Sequence, residues 1–130
     1  MSFLPRAVAL LAVSTAVTSK QNGTPKTLQT SGSDDQTNVQ QVFVAEFLVT
    51  VSGGSSPTAD ASIETSWDKG TTWHEVAKMT QLAGAGSKKQ LVDVDKVGPM
   101  VRGVITPGGS TPGNTTGVVR LLTSALLSVS

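Results

Sequence analysis

Few groups in this chain could do chemistry. His74 is the sole histidine and there is no cysteine, so a thiolate zinc site is excluded and a histidine site would be one ligand deep. Every Ser-His-Asp arrangement would have to use His74, and no serine sits in a nucleophile-elbow motif. Carboxylates are the next resource: Asp34, Asp35, Glu64, Asp68, Glu75, Asp93 and Asp95. Glu64 and Glu75 flank one tight turn and would face each other across a hairpin, and a retaining glycosidase needs two carboxyl groups about 5 Å apart. Asp93 and Asp95 have the spacing to offer oxygens to calcium together with loop carbonyls. Exposed strand and turn positions are the favoured reading of these groups. The expectation is therefore no catalytic residue, no cofactor and no metal.

Bulk composition narrows the field further. The 130 residues carry a formal charge of +1 with 15% charged residues, so no nucleic-acid footprint is present and no acidic partner is implied. The length suits one domain, residues 1–130, with a core of ordinary size. There is no tyrosine and aromatic content is 4%, which argues against a broad stacking platform for bases or sugars. Residues 1–17 begin with one arginine and continue into a short apolar run, the outline of a secretory signal. That run is too short to span a membrane. Its small and β-branched residues are read instead as a strand of a mature protein made in the cytoplasm.

The elements that would position these groups are strands. Residues 39–51, VQQVFVAEFLVTV, alternate so that Phe43, Ala45, Phe47, Val49 and Val51 form a wholly apolar face directed at the core. Residues 59–66 and 72–79 predict two strands around a short turn. Residues 88–94, 99–106 and 116–129 predict three more, separated by Gly- and Pro-rich loops such as PGGSTPGN at 107–114. Residues 19–38 are polar and lack apolar periodicity, which predicts a loop or arm with a short strand near 26–30. The sum is an all-β chain: a single antiparallel β-sandwich, Ig-like or jelly-roll-like, of about seven or eight strands.

The turn at residues 66–73, Ser-Trp-Asp-Lys-Gly-Thr-Thr-Trp, has the form S-x-D-x-G-x-T-W. Asp68 is placed to accept backbone N–H bonds, and Gly70 to take the positive φ that a Cβ penalises. The octapeptide resembles the Asp-box hairpin of sialidase propellers, carbohydrate-active proteins and small β-domains of phage particles. In those families the box is usually a folding element, so the resemblance gives Ser66, Asp68, Gly70, Thr72 and Trp73 a structural role in the turn. Sialidases use several boxes and an arginine cluster. This chain has one box, and beyond its start only Arg102 and Arg120.

Taken with the hairpin ETSWDKGTTWHEVAKM, the apolar start and the late Pro/Gly turn, the chain is similar to small β-sandwich virion proteins of tailed bacteriophages. That resemblance implies a structural, non-catalytic component of a phage particle: a capsid decoration or cement protein, or a small neck or tail protein. Its partners would be itself and other virion proteins, such as major capsid or tail proteins, with no nucleic acid and no membrane. Its location would be the virion, after synthesis in the host cytoplasm. Phe3, Leu4, Leu126 and Leu127 are unusually apolar for chain ends and are candidate assembly contacts. The alternative is a carbohydrate-binding β-sandwich module that uses Trp67 and Trp73 against a host-surface glycan.

Overall fold

The computed structural model describes residues 6–30, 43–94, 97–123 and 127–129. Among them there is no helix. Eleven strands follow one another: β1 Arg6–Val17, β2 Gln21–Asn22, β3 Lys26–Thr30, β4 Phe43–Ser52, β5 Ser55–Ser66, β6 His74–Lys78, β7 Leu82–Ala83, β8 Gly86–Val94, β9 Met100–Thr111, β10 Asn114–Thr123 and β11 Leu127–Val129. All pairings are antiparallel. One sheet runs β1-β10-β4-β8 and the other β11-β3-β9-β5-β6, with β2 added on β9 and β7 on β5.

Counting only the eight strands of five or more residues, the sheets are 1-8-3-6 and 2-7-4-5 in chain order. This is the strand order of a jelly roll, a two-sheet sandwich found in viral capsid and lectin domains and in cupins. It amounts to one long antiparallel ribbon folded over itself, pairing first with last, second with seventh, and so inward. The ribbon's turning point is the hairpin of β5 and β6, which holds the octapeptide near the middle of the chain.

Binary patterning decides which faces meet. Ala45, Phe47, Val49 and Val51 of β4 are buried, as their alternation requires. They meet Ala59, Ala61 and Ile63 of β5, Val101 and Ile105 of β9, and Val119 and Leu121 of β10. Gly103 of β9 marks a close approach of the sheets: a Cβ there would lie 2.9 Å from Val119 Cβ and 3.0 Å from Leu11 Cβ. The edge strand β1 carries two register shifts against β10, between Ala9 and Leu11 and between Val13 and Val17. Such irregularity blunts an edge that has no charge between Arg6 and Lys20.

Several boundaries differ from the sequence reading. Within residues 19–38 the short strand expected near 26–30 is present as β3, whose Lys26 and Thr27 pair with β9, and the unexpected element is Gln21–Asn22, which also pairs with β9; residues 31–38 lie outside the described residues. Strand β5 begins at Ser55 rather than 59, so the turn before it shrinks to Gly53-Gly54. Strand β9 continues through Pro107 and two glycines to Thr111, leaving Pro112-Gly113 as the turn. In both cases backbone pairing of β5 with β9, from Ser55–Thr111 to Ser66–Met100, outweighs local breaker chemistry.

Candidate functional site at the Asp-box turn

The turn is closed by side chains of its own sequence. Ser66 is fully buried, and its Oγ donates to Asp68 Oδ1 at 2.7 Å while accepting from the amides of Asp68 at 3.3 Å and Gly70 at 2.8 Å. Asp68 Oδ1 also accepts the Thr72 amide at 2.7 Å. Lys69 and Gly70 take φ of 62° and 92°, and glycine carries the second left-handed position without a Cβ penalty. One residue before the turn, Thr65 Oγ1 donates to the Met100 carbonyl at 2.8 Å and accepts the Gly98 amide at 2.7 Å. The turn is thereby tied to the segment that leads into β9.

The Thr72 amide first, and the Ser66 hydroxyl second, hold the Asp68 carboxyl down at about 2 from an ordinary 3.8. A carboxyl whose pKa is lower folded than unfolded stabilises the fold above the unfolded value, and that contribution is lost as pH falls through the folded one. Between pH 3.8 and about 2, the thermal midpoint of the protein should therefore approach that of an Asp68→Asn variant, measured by circular dichroism. A gap that stays constant across this window would refute the assignment.

The two tryptophans have different surroundings. Trp67 lies just past β5 and is 54% exposed. Its ring rests on Gly98, where a Cβ would stand 2.9 Å from Cε2, and the His74 ring is tilted beside it at 5.8 Å. Trp67 thus stays on the surface, while Ala61, Ile63 and Thr65, six, four and two residues before it, are buried; the strand ends at Ser66 and its alternation ends there too. Trp73 is half-buried, packed beside Gly70, with the Arg102 guanidinium 4.3 Å from its ring centre.

Arg102 is held in turn by Glu64, its cross-strand partner. Its Nε and Nη2 donate to Glu64 Oε1 at 2.8 and 2.7 Å. A planar guanidinium can stack on an indole and bind a carboxylate at the same time, which a lysine cannot reproduce. Arg102→Lys should cost about 1–2 kcal/mol of stability in urea titrations followed by tryptophan fluorescence. A change within a few tenths of a kcal/mol would show the stack to be incidental.

Glu64 and Glu75 are register partners across the hairpin. Glu64 Oε1 is occupied by Arg102, while Glu75 is exposed. No hydrogen bond joins His74 to a serine or carboxylate, and no three His, Asp or Glu side chains gather into a cage, among the described residues. Asp93 is exposed on β8. Asp34, Asp35, Asp95, Phe3, Leu4 and Leu126 lie outside the described residues. Leu127 opens β11, which pairs with β3 through Thr30.

Two features escaped the sequence. The Glu64–Arg102–Trp73 stack depends on pairing across 38 positions, which leaves no local signal. The outer face of the four-stranded sheet is the second. Val44 and Leu48 of β4 share that face with Glu46 and Thr50, and β10 and β8 add Val118, Leu122 and Leu91. Leu48 and Leu91 are 42% and 58% exposed. The alternation of β4 signalled this face, but the clustering needed the register. Comparison with protein-family models, curated proteins and solved structures found no match.

Proposed function

We propose that this chain is a structural, non-catalytic component of a bacteriophage particle, either a capsid decoration or cement protein or a small neck or tail protein. It works through contacts with copies of itself and with other virion proteins. The observation that carries the reading is the jelly-roll strand order, an architecture that viral shells use repeatedly. The chain's own hydrogen bonds and ion pairs engage the groups with the most chemical potential: Asp68 closes a turn and Glu64 holds Arg102. An antibody against the chain, applied to particles from the native source and viewed with gold label by negative-stain microscopy, should decorate every particle at fixed positions. Unlabelled particles, with the chain recovered elsewhere, would contradict the proposal.

A carbohydrate-binding role has one observation in its favour, the exposed Trp67 ring beside His74. The opposing point is that Arg102 already covers Trp73, which leaves a single platform. On this reading a Trp67→Ala variant would lose glycan binding while keeping its fold.

A further inference from the structure

We propose that the outer face of the four-stranded sheet is where two copies of this chain pair, about a two-fold axis that runs parallel to the strands between β10 and β4. The backbone register sets out that face in three rows across the strands. Leu122, Val44 and Asp93 form one row; Arg120, Glu46 and Leu91 the next; Val118, Leu48 and Lys89 the third. In the second and third rows β1 adds Ala9 beside Arg120 and Ala12 beside Val118.

A two-fold axis between β10 and β4 sets each row against itself in reverse. Leu122 then meets Val44 of the second copy, and Val118 meets Leu48. Leu91, the most exposed large apolar side chain of the face, lands over the small, exposed Ala9. At the centre, Arg120 of each copy meets Glu46 of the other. No like charges oppose each other, and Lys89 and Asp93 fall at the rim, where charged groups of an interface normally lie.

The occupant follows from the chemistry of the face. Within one copy Glu46 already accepts Arg120 Nη1 at 3.0 Å and has Lys89 Nζ at 3.9 Å. With Asp93 the face carries two acids and two bases, so it has no net charge with which to attract a polyanion or a basic tail. The other sheet turns outward Thr58, Asp60, Glu64, Arg102 and Thr106 around Val104, which is itself buried, so the exposed surface is largely polar, with Arg102 and Glu64 paired. Among the described residues, the four-stranded sheet is thus the one that offers water a broad apolar face. Four strands at ~4.8 Å spacing and ten residues at ~3.3 Å give about 600 Å² per copy. Doubled, this reaches the lower bound of specific interfaces, about 1,200 Å². The pairing does not depend on membership of a phage particle, so each idea can fail without the other.

The test is sedimentation equilibrium of the full chain over a dilution series. The chain should sediment at twice its monomer mass, and Leu48→Glu should weaken the dimer at least about tenfold. Glu46→Arg alone sets the introduced arginine against Arg120 of the other copy, and Arg120→Glu alone sets the introduced glutamate against Glu46, so each should be monomeric. Mixed together, these two variants place two positive groups against two negative ones and should form a heterodimer. Circular dichroism melts establish that each variant is folded. The charge pair keeps the test decisive even where Leu48→Glu does not fold. A monomeric parent chain would overturn the proposal. So would a dimer indifferent to these substitutions, or charge variants that fail to associate when mixed.

Discussion

Truncating Phe47 to alanine is expected to lower the free energy of unfolding by about 3–5 kcal/mol. Phe47 is fully buried at the middle of β4, between β10 and β8, and it heads the fully buried side chains by size. Several neighbours across the core are small, with Ala59 and Ala61 on the facing strand β5 and Ala45 beside it on β4. They cannot lean in to refill a vacated ring, so the cavity term remains largely unrelieved. At 4% aromatic content, few rings are present to share the load. A domain of this size has a total stability of about 5–15 kcal/mol, so the variant should melt roughly 10–20 °C lower. Leu48→Ala, one residue along the same strand but facing outward, should change stability by no more than about 1 kcal/mol when both variants are compared at concentrations too low for copies to pair. Equal effects at the two positions would mean that the inward face of β4 has been assigned wrongly.

Gly23→Ala should be nearly as damaging for a different reason. Gly23 lies where the chain leaves β2 for β3, and its amide donates to the Gly103 carbonyl at 2.7 Å. A Cβ at this position would collide with the Leu10 carbonyl oxygen and stand 3.2 Å from Leu11 Cβ. The obstacle is backbone rather than the end of a flexible side chain, so β1 itself must give way. The cost should reach at least about 3 kcal/mol, the upper end of ordinary overpacking. Amide exchange should speed up first along β1. Gly53→Ala is the matched control: its Cβ would meet open space, but φ is +74°, so only the left-handed penalty of about 1–2 kcal/mol applies. A reversed order of the two variants, measured by chemical denaturation, would show that β1 does not pack against the β2–β3 connection.

Much of this architecture can be read from residues close together in sequence. The alternation of Ala45, Phe47, Val49 and Val51 states an inward strand face, and Ser-x-Asp-x-Gly-x-Thr states a turn, because both follow from short-range geometry. What escapes is whatever depends on register between distant segments. Pro107 and its glycines look like a loop until the pairing of β9 with β5 carries them along as strand. Gln21–Asn22 has no apolar alternation of its own, and it becomes a strand because β9 offers a free edge. The candidate sites divide in the same way. The turn residues Ser66, Asp68 and Gly70 act on one another within four positions, so composition and spacing revealed them. Arg102 reaches Glu64 and Trp73, and Glu46 reaches Arg120 across 74 positions. Nothing near those residues in sequence announces either arrangement.

Membership of a particle is the central claim, and one measurement addresses it most directly. Native source material is sedimented, and peptides of this chain are quantified by mass spectrometry in the fast-sedimenting fraction against those of the most abundant shell protein. The expected result is a fixed, high copy number per particle that survives repeated sedimentation, with the ratio separating a shell lattice from a neck or tail ring. Recovery of the chain only in the slow fraction, as a monomer or free dimer with no fixed ratio to any particle protein, would contradict that claim.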